Sequence, residues 1–66
     1  MKIIVNGTAR SYKGEVTVAA VLKDAGAQVG RVAVVINGEV VSRTEMDSRS
    51  LKDGDQVEIL TYAAGG

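Results

Sequence analysis

The chain has 66 residues, eight Lys and Arg balance eight Asp and Glu, and there is no His, Cys, Trp, Phe or Pro. A domain this short buries only about 60% of the surface its unfolded chain exposes, which allows one thin core and little room for a deep pocket. Without His or Cys it cannot build a Ser-His-Asp or Cys-His nucleophile, a conventional zinc site or a disulfide framework, and zero net charge gives no general attraction to phosphate backbones.

The apolar run Ile3-Ile4-Val5 after Met1-Lys2 is too short for a signal-peptide core or a membrane span. The expected location is the cytoplasm, with neither nucleic acid nor membrane as partner. That run ends at Asn6-Gly7, and Thr8 to Lys13 follows with mixed polarity. Asn-Gly tolerates positive φ at both central turn positions, so residues 2–12 read as a first hairpin. Thr17 is placed to cap a helix in which Val18, Val21, Leu22 and Ala25 share one face, with Lys23 and Asp24 opposite and Gly26 as the stop.

A second hairpin is expected where Val32 to Ile36 meets Asn37-Gly38 and continues as Glu39 to Arg43. Residues 44–50 are polar and lack strand alternation; they read as a turn or a loose helical turn, with Met46 and Leu51 directed at the core. Asp53-Gly54-Asp55 is a turn, and Gln56 to Tyr62 alternates as a last strand with Val57 and Ile59 inward. Hairpin, helix, hairpin, turn and strand in this order imply an α+β fold of the ubiquitin-like β-grasp type. A mixed sheet of four to five strands curls over one helix, with the first and last strands adjacent. Residues 1–62 form this domain and 63–66 a flexible C-terminal tail.

Side chains alternate along strands, so if Ile3, Val5, Val34, Ile36, Val57 and Ile59 face the helix, then Ile4, Val35 and Leu60 face away. These three, with Tyr62, make a candidate docking face; plain sheet packing also accounts for the apolar set, and Tyr62 for an edge of the core. Asp53 and Asp55 flank Gly54 as turn formers do, which is a better account of them than metal binding. Glu15, Glu39 and Glu58 lack the paired spacing of acid-base work, and Arg10, Arg31, Arg43 and Arg49 read as solvated surface.

The sequence ends in Ala63-Ala64-Gly65-Gly66. Glycine is about 7% of residues, so two at the end arise by chance in roughly one chain in 200. Four extended residues without bulky side chains reach at most about 13 to 14 Å, a shape suited to a narrow channel. The group delivered is the Gly66 α-carboxylate, with a pKa of about 3.3 to 3.7, anionic at neutral pH and able to attack an activated phosphate. Attack on the α-phosphate of ATP yields an acyl-adenylate, open to a sulfur or nitrogen nucleophile. With no cysteine in the chain, no internal thiol competes for that acyl group.

Thr17-Val18, the run Val32 to Val41 with Arg43, Leu51 before Asp53-Gly54-Asp55, and the Gly65-Gly66 end together resemble the ThiS-type sulfur carrier proteins of thiamine biosynthesis over the whole chain. The family often has proline where this chain has Ser42 and an aromatic residue near Met46. The resemblance implies a protein cosubstrate and not an enzyme, with no catalytic or metal site and no bound cofactor. A ThiF-like adenylating enzyme would use ATP and Mg²⁺ on Gly66, a cysteine desulfurase system would supply sulfur, and the thiocarboxylate would serve thiazole synthase (ThiG). Gly66 would carry the sulfur, Gly65, Ala64 and Ala63 would make the tail passable, and Arg43, which the family pattern retains, would join Ile4, Val35, Leu60 and Tyr62 in docking. Molybdopterin synthase small subunits and ubiquitin-like modifiers share the fold and the terminal Gly-Gly, and a β-grasp interaction module without terminal chemistry is the alternative of another class.

Overall fold

The computed structural model describes residues 1–27 and 29–61. Strands β1 (Lys2–Val5), β2 (Thr8–Ser11), β4 (Val32–Ile36), β5 (Glu39–Val41) and β7 (Gln56–Thr61) form one sheet in the order β2-β1-β7-β4-β5. β1 and β7 run parallel, and every other pairing in this sheet is antiparallel. The last strand therefore lies in the middle of the sheet, between β1 and β4.

Both hairpins turn as their sequences require. Asn6 and Gly7 have φ of 49° and 82°, Asn37 and Gly38 have 50° and 86°, the left-handed values of the turn whose twist matches its strands. Helix α1 (Val18–Asp24) begins at Thr17, whose hydroxyl accepts from the Ala20 N–H at 3.2 Å. Seven residues are too few for a helix to persist alone in water. Val18, Val21 and Leu22, all buried, hold it against the sheet.

The helix face ends earlier than its spacing suggests. Ala25, expected in the apolar stripe, is exposed as the C-cap, and Gly26 follows at φ 75°. Gly26 N donates to Lys23 O at 3.1 Å and Ala27 N to Leu22 O at 2.9 Å, the pair of bonds that closes a helix on a left-handed residue. The reversal brings Ala27 onto the core instead of Ala25.

The core is the space between α1 and one side of the sheet. Ile3, Val5, Val32, Val34, Ile36, Val41 and Val57 fill it from the sheet, with Met46 and Leu51 closing it from the connection, as expected of these two apolar residues in a polar stretch. Ile59 packs against it, partly buried. A second, two-stranded sheet was not evident in the sequence: β3 (Val16–Thr17) pairs with β6 (Ser50–Leu51), and Val18 N donates to Arg49 O at 2.9 Å. This clasp ties the start of the helix to the end of the 42–49 turns.

At the opposite end of the helix, Arg10 pairs with Asp24 at 2.9 Å and the Tyr12 hydroxyl donates to the same carboxylate oxygen at 3.2 Å. A carboxylate at a helix C-terminus opposes the helix dipole, and Arg10 offsets it. Burial, then the Asp24 hydrogen bond and charge, push the Tyr12 phenol above its ordinary value, with Arg10 pulling the other way.

Candidate docking face and chain end

The helix covers one side of the five-stranded sheet, and the other side carries the expected docking residues. Cα partners directly opposite in a ladder share a face. Ile4 lies opposite Ala9 and Gln56, Val35 opposite Val40 and Glu58, and Leu60 opposite Ala33. Ile4 and Val35 are half-buried and Leu60 is 51% exposed, all on the side away from the helix.

The ladder does not gather them into one patch. Gln56 and Glu58, both exposed, stand on β7 between Ile4 and Val35, and a cavity of about 400 Å³ lined by Ile4, Asn6, Gly7, Gln56, Val57 and Glu58 occupies that end. Leu60, Ala33, Val35 and Val40 form the more continuous apolar area. Val40, 75% exposed, is the residue the sequence reading missed. Its signal was available: a two-residue turn at Asn37-Gly38 pairs Ile36 with Glu39 and therefore Val35 with Val40.

Arg43 belongs to this end of the sheet. Its guanidinium lies over Gly30, so close that a Cβ at position 30 would sit 2.6 Å from Arg43 Nη2. A cavity of about 180 Å³ beneath is lined by Gly30, Val32, Ala33, Val40, Val41, Arg43 and Met46. Thr61, the last described residue, pairs with Val32, next to the Leu60 and Ala33 pair. Tyr62, Ala63, Ala64, Gly65 and Gly66 lie outside the described residues.

The loop that departs from the resemblance is satisfied locally. Ser42 Oγ donates to Glu45 Oε1 at 2.8 Å, holding the first of the turns that deliver Met46. The paired aspartates are engaged by backbone: Asp53 accepts from Lys2 N at 2.6 Å, and Asp55 from Lys52 N at 2.8 Å. Asp55 closes the turn locally, as expected, whereas Asp53 ties the turn to the start of β1. Among the described residues, no helix is long and apolar enough to cross a membrane.

A mixed sheet grasping one short helix, with an open apolar side and a central last strand that leads to a Gly-Gly end, defines a ubiquitin-like β-grasp carrier. The ThiS family model matches residues 3–66, and the chain belongs to that family, the sulfur carrier proteins of thiamine biosynthesis. It is 38% identical over 61 residues to the sulfur carrier protein ThiS of Thermus thermophilus, a match covering 92% of this chain and 94% of that one. It is 35% identical over 66 residues to a thiazole synthase of Paramagnetospirillum magneticum, where it spans all of itself but 20% of the relative. A crystal structure of the thiamine biosynthesis protein ThiS from Geobacter metallireducens superimposes with a TM-score of 0.81 at 38% identity, covering 100% of both chains. The solution structure of a thiamine biosynthesis protein from the same organism gives 0.77 at 38% identity, covering 100% of this chain and 88% of that one. A protein of this family is a carrier and not a catalyst.

Proposed function

We propose that the sulfur is carried on the Gly66 carboxylate. The observation that carries this reading is the reach of the family match, which extends through residue 66 and so includes the Gly-Gly end. A ThiF-like enzyme, using ATP and Mg²⁺, activates the carboxylate: a carboxylate oxygen bonds to the α-phosphorus of ATP and pyrophosphate leaves. The terminal sulfur of a persulfide, supplied by a cysteine desulfurase system, then displaces AMP. A thiol reduces the resulting acyl disulfide to the thiocarboxylate, and the carrier itself undergoes no redox change elsewhere. The whole cycle runs in the cytoplasm.

The acceptor is a thiazole synthase, a reading supported by the relative of that name, which contains a segment similar to this whole chain. Leu60, Val35, Val40 and Ala33, with Ile4 at the far end and Arg43 and Tyr62 beside the chain end, form the surface that docks the activating enzyme. Gly65, Ala64 and Ala63 allow the terminus to enter an active site without steric obstruction.

Incubation with ATP, Mg²⁺, the adenylating enzyme and a sulfur donor is expected to raise the mass by the difference between one sulfur and one oxygen. Deleting Gly66 abolishes that gain and leaves the circular dichroism spectrum and the unfolding midpoint unchanged. A truncated chain that still acquires sulfur removes the chemistry from the terminus.

A further inference from the structure

We propose that the two Asn-Gly turns are deamidation sites held shut by the fold, each carboxamide being clamped onto β7, and that Asn6 yields before Asn37. β1 turns away after pairing with only two residues of β7, Ile4 with Gln56 and Val5 with Val57. The Asn6 side chain then takes over the ladder. Its backbone N–H donates to Val57 O at 2.9 Å, its Oδ1 accepts from Ile59 N at 2.8 Å, and its Nδ2 faces Ile59 O at 3.5 Å. Asn37 does the same at the other end of the strand. Its N–H donates to Gln56 O at 2.8 Å, its Oδ1 accepts from Gln56 N at 3.0 Å, and its Nδ2 donates to Asp55 Oδ1 at 3.0 Å.

Asparagine followed by glycine is the least protected arrangement for this thermolabile side chain, because no side chain shields the next backbone nitrogen. That nitrogen attacks Cγ, an N–Cγ bond forms, the Cγ–Nδ2 bond breaks, and ammonia leaves with the proton from the attacking nitrogen. Water then opens the cyclic imide at either carbonyl to give aspartate or isoaspartate, with no redox change. In both turns the carboxamide must first leave β7 before its carbon can meet the Gly7 or Gly38 nitrogen. Asn37 gives up two bonds of 3.0 Å to do so, whereas Asn6 gives up one good bond and one contact at the outer limit of hydrogen bonding. Hence the order.

The aspartate product keeps an oxygen for Ile59 N or Gln56 N but cannot restore the Nδ2 half of either clamp. A carboxylate at position 6 would present oxygen to Ile59 O, and one at position 37 would face the Asp55 carboxylate across the present 3.0 Å. β7 includes Leu60 and Thr61, so the lesion loosens the strand that presents Leu60 on the open side.

Peptide mapping of the protein aged in mildly alkaline buffer, with and without urea, tests this on the unaltered chain. Trypsin separates the sites, because Lys2 and Arg10 bracket Asn6, and Arg31 and Arg43 bracket Asn37. In urea both peptides should convert at similar rates. In the native protein both should slow by about tenfold or more, the order expected of local opening against one or two hydrogen bonds, with the Asn6 peptide leading. Native rates equal to those in urea, or Asn37 leading, would overturn the proposal. Independently, Asn6→Gly, which tolerates the φ of 49° and removes the Oδ1 acceptor, should speed amide hydrogen exchange at Ile59, and unchanged exchange removes the clamp.

Discussion

The two sides of the five-stranded sheet use the same β-branched vocabulary for opposite ends. On the helix side, Ile3 and Val34 are fully buried and Val57 is 1% exposed; on the open side, the same three strands carry Ile4, Val35 and Leu60, none of them buried. One residue of displacement separates a core position from a surface position, because successive side chains of a strand point to opposite faces. The difference teaches that apolar content alone does not say which residues hold the fold. Its position in the alternation does. If the division is sound, substitutions on the helix side cost stability and spare docking, and substitutions on the open side do the reverse.

The largest effect belongs to the helix side. Leu22→Ala, at a position 1% exposed, removes most of a buried side chain and leaves a cavity, a change that costs about 2–5 kcal/mol. A core in a chain this small rarely supplies more than about 3–5 kcal/mol in total. The variant should therefore be largely unfolded at room temperature, and a urea melt checks it. Thr17→Ala tests how the helix is held in place: losing the hydroxyl that accepts from Ala20 N should lower stability by about 1 kcal/mol. A melt that does not move would transfer credit for the helix start to the Val16–Leu51 clasp.

A smaller, pH-dependent effect sits at the rim of the same side. The folded protein raises the Tyr12 pKa above its ordinary value of 10.0, through burial first and Asp24 next. A raised folded-state pKa means that the neutral phenol is favoured by folding. Its contribution is fully present below about pH 10 and is lost as pH climbs through the raised value. The stability difference between the unaltered protein and Tyr12→Phe should therefore shrink as the solution is taken above pH 10. A difference that stays constant across that range would mean that the phenol is not engaged with Asp24.

How much of this was readable in advance depends on the range over which the cause acts. The two Asn-Gly turns, the Thr17 cap and the alternation of β4 and β7 are local, each set by a few neighbouring residues, and they stand where the sequence places them. The pairing of Val16 with Leu51 joins two-residue strands 35 positions apart in the numbering, and two residues carry no periodicity to detect. Ala27 packs against the core where Ala25 was expected, because the spacing rule assumes the helix continues, and the left-handed Gly26 ends it first. The open side was legible in outline: Ile4, Val35 and Leu60 are on it. Its grouping was legible only in part: the Asn37-Gly38 turn puts Val40 opposite Val35, but Glu58 enters from β7, whose register against β4 no local turn sets. Nor did the sequence show that Asn6 and Asn37, chosen for positive φ, would also spend their side chains on β7.

The smallest effect on folding is expected at Leu60, and for that reason it divides the two sides most cleanly. Leu60 is 51% exposed and faces Ala33 across the ladder, so Leu60→Asp removes little packing. Exposure limits the stability loss to about 1 kcal/mol, to which the poor strand preference of aspartate and repulsion from Glu58 on the same face both add. Docking should respond differently. If Leu60 sits at the centre of the buried contact, an unpaired carboxylate there costs more than the lost leucine, and affinity for the adenylating enzyme should fall by about tenfold or more. Titration calorimetry with that enzyme, beside a urea melt of the same variant, gives both numbers. A loss of affinity with an unmoved melt supports the division; an unmoved affinity would leave Leu60 as an exposed sheet residue and shift the docking surface toward Arg43 and Val40.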